Sequence, residues 1–183
     1  TVLLESLYML GGLATAGVVT NYLPLCDGKG HQIAFGIVEE LLKLSIKHGY
    51  DKEYPKFWIE GGTVEQKSQK RYNVYFNPNV FAIVAGQLLQ ENGVEIIYGA
   101  NVVGGIKEKS GDKLAAALIE TRGGRYAIVG KSFIDCTGDA ALYHFIGEKT
   151  DKTIKGNTLA WWFYELKDGE MMVRERGSRD IDS

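Results

Sequence analysis

The chain opens with an apolar run, Val2-Leu3-Leu4, that closes on a carboxylate, Glu5. This pattern predicts a buried parallel strand whose last residue can accept hydrogen bonds at the strand's carboxyl end. A solvated strand end is the simpler account of Glu5 on these residues alone. Between Gly36 and His48, the apolar positions Ile37, Val38, Leu41, Leu42, Leu44 and Ile46 form a helical stripe, and Gly49 is placed to supply a left-handed stop. Tyr72-Asn73-Val74-Tyr75-Phe76 predicts a short strand. A second helix follows, carried by Val80, Phe81, Val84, Leu88 and Leu89, with Asn77 as its cap and Pro78 at its first position. Asn92-Gly93 ends that helix, and Val94 to Tyr98 predicts a buried strand directly after it. A helix that passes at once into a strand is the mark of a wound α/β sheet.

The later pattern differs. Residues 102–108, 114–121 and 125–131 are three β-rich runs, separated by Lys109-Ser110-Gly111-Asp112 and Arg122-Gly123-Gly124, which are hairpin signals. Ser132 to Cys136 predicts a short apolar strand that breaks at Thr137-Gly138-Asp139 before a helical stretch over 140–146. A strand, a glycine turn and a helix N-terminus direct backbone N–H groups to where a phosphate can sit, while Asp139 also suits a plain N-cap. The stretch from Asp51 to Arg71 is weakly patterned and reads as a loop with short strands, facing a substrate. Asn157 to Leu166 reads as a strand whose aromatic residues mostly pack, and Glu165 to Ser183 as a frayed or truncated end.

At 183 residues, with 45% hydrophobic and 24% charged, the chain can bury a core as one domain, or as one domain with an appendage. Its net charge of -2 and pI near 5.9 provide no basic field, so no nucleic-acid partner is expected. Lys67, Lys70 and Arg71 are accounted for by a solvated loop. Neither Cys26 and Cys136 nor His31, His48 and His144 show metal-ligand spacing, so no metal is expected. No apolar run is long enough to span a membrane and no signal-peptide pattern is present. A cytoplasmic, membrane-free protein is expected, with the reservation that a leader could precede Thr1.

Taken together, Glu5, the LGGxxTxG segment at 10–17, the Asn-Pro helix leading to a GVEI strand, the three β-rich runs, and FIDCTGD at 133–139 resemble the FAD-dependent oxidoreductase family. The resemblance covers about residues 1–150, and the ordered combination is far more specific than any one piece. It implies a glutathione-reductase-type fold: an α/β, incomplete Rossmann-like FAD-binding domain with a three-stranded β-meander, followed by the start of a substrate domain. The FAD-binding part would span 1–150, with a loop-rich, substrate-facing insertion at about 50–72. Residues 151–183 would begin the substrate domain or form a truncated tail.

The resemblance also implies roles. Glu5 would bind the adenosine ribose of FAD, and Gly11, Gly12 and Thr15 would lie along the pyrophosphate and flavin side, where a Cβ would prevent close approach. The main chain of Val102 would pair with the adenine. Thr137, Gly138 and Asp139 match the segment that closes over the cofactor, and Cys136 stands where relatives carry alanine, as a buried packing thiol. His31 would fall near the flavin ring, which makes it a candidate acid or base, although a surface-loop histidine is the better account of it. The GxGxxG loop of such domains is expected ahead of Thr1, so the chain reads as a fragment. Its sheet edges would then need a complementing chain or a second copy to cover them. The implied activity is hydride or electron transfer between FAD and a small-molecule substrate that the residues leave unnamed. Two other readings stay open: a binding or structural module that keeps the fold without FAD, and a flavoprotein acting on tRNA.

Overall fold

A computed structural model describes residues 1–49, 53–111, 113–151 and 158–180. It divides into two compact units, Thr1–Ile134 and Asp135–Ser183. In the first unit, β1 (Val2–Glu5) pairs in parallel with β4 (Glu95–Tyr98), with Leu3 opposite Ile96 and Glu5 opposite Tyr98. Parallel neighbours need a crossover, and helix α4 (Pro78–Glu91) delivers the chain to β4. The Asn77 side chain accepts from the amides of Asn79 and Val80, and Pro78 occupies the first turn, as the Asn-Pro pair predicts. Gly93, at φ +71°, turns the chain out of α4 and into the strand.

Helix α1 (Ile37–Gly49) buries Leu42 and Ser45. Gly49 is its last helical residue and lacks the left-handed conformation the sequence led us to expect. The reason is packing. The Gly49 carbonyl accepts from the Asn77 amide at 2.7 Å, and a Cβ on Gly49 would lie 3.1 Å from Val80 Cγ1, so the glycine allows α1 and the start of α4 to approach closely.

The weakly patterned stretch contains two short helices, α2 (Lys56–Ile59) and α3 (Val64–Ser68), in place of the expected loop with short strands; residues 50–52 of the expected insertion lie outside the described residues. Side-chain bonding drives this difference. Thr63 and Gln66 form a reciprocal capping box at the start of α3. Trp58 stacks on Tyr72 with ring centroids 5.0 Å apart and planes 2° from parallel, and its indole N–H donates to the Lys70 carbonyl at 2.7 Å. Strand β3 (Val74–Tyr75) pairs antiparallel with β2 (Asn21–Tyr22). Leu25, Cys26, Leu42, Tyr72 and Val74 form the core between these elements, with Tyr22, Ala34, Ile46 and Trp58 packed around it.

Strands β5 (Asn101–Lys107), β6 (Leu114–Thr121) and β7 (Gly124–Val129) form an antiparallel sheet in that order. Ala116, Ala117 and Ile119 are its buried positions. Ser132 to Cys136 is not the strand its apolar run predicts. A strand exists only through its ladder, and among the described residues nothing pairs with this segment; Ile134 is 87% exposed.

In the second unit, α5 (Ala141–Phe145) precedes a long hairpin of β8 (Thr158–Lys167) and β9 (Glu170–Asp180). The expected frayed end over 165–183 is thus strand and turn as far as Asp180, with 181–183 outside the described residues. Asp168 (φ +53°) and Gly169 (φ +80°) make the two-residue turn, a backbone that Asp-Gly adopts readily and that matches the twist of paired strands. Asn157 of the predicted aromatic strand lies outside the described residues. Among the described residues no helix is long and apolar enough to cross a membrane.

Candidate functional site

The carboxyl edge of β1 and β4 gathers several of the candidate residues. Glu5 ends β1 half-buried, and its Oε1 accepts from the Leu7 amide at 2.8 Å and from the Ser6 hydroxyl at 3.3 Å. Among the described residues no hydrogen bond reaches Oε2, so one carboxylate oxygen remains as an acceptor. The chain leaves β4 directly beside it: the Ala100 amide donates to the Glu5 carbonyl at 3.0 Å, and the Gly99 amide to the Leu7 carbonyl at 3.1 Å. Val102 is the second residue of the strand that begins there, opposite Ile119 in the sheet. Glu5 and the entry to β5 therefore share one edge, set by the parallel register.

The segment following β1 forms a tight turn at Gly11 (φ +101°) and Gly12 (φ +49°), the latter opening a short 3-10 turn over Gly12–Ala14. Thr15 is 3% exposed and its hydroxyl donates to the Leu10 carbonyl. A Cβ on Gly11 would lie 2.5 Å from Thr15 Cγ2, so Gly11 is required for both its backbone angle and its space. A Cβ on Gly12 would meet nothing within 4 Å, which leaves an open approach to that backbone. The structure thus gives Thr15 the work of holding the turn, with Gly12 as its accessible point.

Thr137, Gly138 and Asp139 lie in the second unit, just before α5. Gly138 is left-handed at φ +86°, with open space at its Cβ position. The predicted N-cap, Asp139, makes no capping bond; Ala140 holds the cap position at φ +57° without one. Asp135 and Thr137 take over the role. Thr137 Oγ1 accepts from the Ala141 amide at 2.8 Å, while the two Asp135 oxygens accept from the amides of Thr137 (3.0 Å) and Tyr143 (3.1 Å). Partial burial pushes the Asp135 carboxyl up, but the hydrogen bonds from Thr137, Tyr143 and Leu142 outweigh it and hold the group below its usual range. The helix start that the sequence offered to a phosphate is engaged by the chain's own carboxylate. Cys136, expected as a buried packing residue, is exposed, because the strand that would have buried it does not form.

His31 sits at the end of the loop Asp27-Gly28-Lys29-Gly30, away from the glycine turn in sequence and with its side chain 63% exposed. Its Nδ1 lies 3.1 Å from Asp27 Oδ2. Bonds from the Lys29 amide above all, with those from the amide and ring of His31, hold the Asp27 carboxyl below its ordinary range.

One polar cluster escaped the sequence reading. Glu39 on α1 accepts from Lys43 Nζ at 2.6 Å, Gln32 Nε2 at 2.6 Å and the Tyr72 hydroxyl at 3.2 Å. Lys43 foremost, then Gln32 and Tyr72, hold the Glu39 carboxyl low. Burial, with the Glu39 charge beside it, pushes the Tyr72 phenol well above its normal range. The Glu39–Lys43 pair at i,i+4 was readable as helix support, whereas Gln32 lies just ahead of the helix, outside its spacing, and Tyr72 comes from a distant part of the chain. The crevice between α1 and α4, bordered by Ser45, His48, Phe76 and Val84, has no room for a ligand. Among the described residues no three His, Cys, Asp or Glu side chains come together as a metal cluster.

A family model described as FAD dependent oxidoreductase matches residues 1–157. No curated protein and no solved structure matches the chain.

Proposed function

The chain belongs to the FAD dependent oxidoreductase family, and from that premise we propose that it holds the adenosine end of FAD along the carboxyl edge of β1 and β4, as part of a protein that transfers hydride or electrons. FAD is the cofactor of this family, and when bound it supplies the redox chemistry, while the polypeptide binds and orients it. The observation that carries the reading is Glu5: a carboxylate at the end of a strand paired in parallel, with one oxygen fixed by Leu7 and Ser6 and the other left as an acceptor for a ribose hydroxyl. Ligands of open α/β sheets lie outside the carboxyl ends of the strands.

The glycine turn fits the same group. Gly12 presents backbone with open space where a Cβ would otherwise stand, and Thr15 keeps the turn in place through Leu10. Val102, the second residue of β5 on the same edge, would be the residue whose main chain meets the adenine.

Titration of the chain with FAD, followed by flavin fluorescence and absorbance, tests this. Glu5→Gln removes one charge-assisted bond and weakens binding about ten-fold or more, from ~1.5–3 kcal/mol for a hydrogen bond to a charged group. A chain that neither carries nor takes up FAD sinks the reading; equal affinity of Glu5→Gln and wild type removes Glu5 from the site.

A further inference from the structure

The loop over 27–31 is more closely determined than a surface connection needs. Asp27 donates its amide to the His31 carbonyl at 3.0 Å, Cys26 bridges to Gln32, and Gly28 and Gly30 both adopt left-handed angles. Gly30 is buried against the start of α3, where a Cβ would collide with the Val64 carbonyl oxygen. Within this frame the two oxygens of Asp27 have separate tasks. Oδ1 accepts from the amides of Lys29 (2.7 Å) and His31 (3.1 Å), which closes the turn. Among the described residues, Oδ2 has the His31 ring as its one partner, at 3.1 Å from Nδ1.

We propose that Asp27 is a positioning residue for His31: it holds the imidazole as the Nδ1–H tautomer and leaves Nε2, on a solvent-facing ring, as the atom that takes or gives a proton. An ionised carboxylate only accepts hydrogen bonds, so the hydrogen between the two groups belongs to Nδ1. The Nε2 lone pair is then the basic site. In the acid–base step, the proton of an O–H or N–H group passes to Nε2, the donor keeps the electron pair, and the imidazolium carries its charge beside Asp27. The proposal rests on the redox reading of the chain, since oxidation of an alcohol or amine releases a proton that needs an acceptor.

The division between the two oxygens makes Asp27→Asn a selective test. Asparagine keeps Oδ1 for the two amides, but turns a donor NH2 toward the ring. Long-range 15N NMR of histidine-labelled chain, at a pH where the ring is neutral, reads the tautomer directly. The expected result is Nδ1–H in wild type and Nε2–H in Asp27→Asn, with the Lys29 and His31 amide signals retained. Diethyl pyrocarbonate, mapped by mass spectrometry with His48 and His144 as internal references, should then modify His31 with altered nitrogen selectivity, Nε2 in wild type and Nδ1 in the variant. Wild type in the Nε2–H form overturns the proposal even if the variant fails to fold, and so does a tautomer that Asp27→Asn leaves unchanged. These readouts need no FAD, so failure of the chain to bind FAD and failure of the Asp27–His31 assignment are separate results.

Discussion

The Tyr72 hydroxyl donates to Glu39 Oε1 at 3.2 Å, and this bond ties the segment entering β3 to the first turn of α1. Tyr72 is 1% exposed, stacked on Trp58, with its amide donating to the Cys26 sulfur at 3.2 Å. Its phenol is therefore at the centre of the core, and Glu39 is the acceptor that makes its burial affordable. Gln32 reaches the same carboxylate from the 27–31 loop's trailing side. One carboxylate thus links the end of that loop, α1 and the segment entering β3.

Replacing these partners separates their contributions. Tyr72→Phe keeps the stack and loses one hydrogen bond, which should cost about 1 kcal/mol in urea unfolding. Glu39→Ala leaves the phenol without its acceptor and the Gln32 amide with the Ala34 carbonyl alone, and should cost about 2 kcal/mol. The Glu39 carboxyl is depressed in the folded chain, so its contribution is complete above the ordinary glutamate range and is lost as pH falls through the folded value. Glu39→Gln should flatten that part of the acid limb of a stability-against-pH curve; an unchanged limb would assign it to other carboxylates.

Two glycines in one loop make a graded comparison. Both are left-handed, at +78° for Gly28 and +95° for Gly30, but only Gly30 lacks space for a Cβ. Gly28→Ala should cost about 1 kcal/mol, the strain of the backbone angle alone. Gly30→Ala adds a collision with the Val64 carbonyl and should lower the thermal midpoint clearly more than Gly28→Ala does. Equal shifts would mean that the loop moves away from α3 at little cost.

What the sequence made legible depends on where each element's determinants lie. Asn77-Pro78 and Gly93 act within a few residues, so α4 and the start of β4 could be read directly. Glu5 at a strand end was also readable, since the apolar run and its acidic end are contiguous. The Thr63/Gln66 box and the Asp168-Gly169 turn were equally local signals, obscured by reading their surroundings as loop and charged tail. The remaining differences are tertiary. Ser132 to Cys136 has strand composition but no partner, and Gly49 gave up its left-handed stop because Asn77 meets its carbonyl. At the candidate site, the residue types were visible, but the roles of Thr15 and Asp135 depend on which backbone groups they reach.

The two thiols should differ sharply in reactivity. Cys26 is 8% exposed within the core, and its sulfur accepts from Tyr72, whereas Cys136 is exposed. A thiol reagent such as DTNB should modify one cysteine per chain in the native state and the second only on unfolding. Cys136→Ser should remove the fast phase. Two fast equivalents would show that the core around Leu25 and Leu42 opens readily.

The start of α5 gives the clearest contrast between a cap read from sequence and one set by geometry. Asp139 stands next to the helix but bonds none of its amides, while Asp135 reaches Tyr143 across eight residues and Thr137 reaches Ala141. A five-residue helix has little stability of its own, so these bonds decide whether it persists. Asp135→Ala or Thr137→Ala should each weaken it by about 1 kcal/mol, seen as faster hydrogen exchange at the amides of Tyr143 and Ala141. Asp139→Ala should leave both rates unchanged. The Asp135 carboxyl is depressed in the folded state, so its hold on the helix is complete above the ordinary aspartate range and fades as pH falls through the folded value. After correction for intrinsic exchange, Tyr143 should lose protection on acidification in wild type, and Asp135→Asn should remove that dependence. Faster exchange in Asp139→Ala, with no effect of Asp135→Ala, would return the cap to the residue that composition favours.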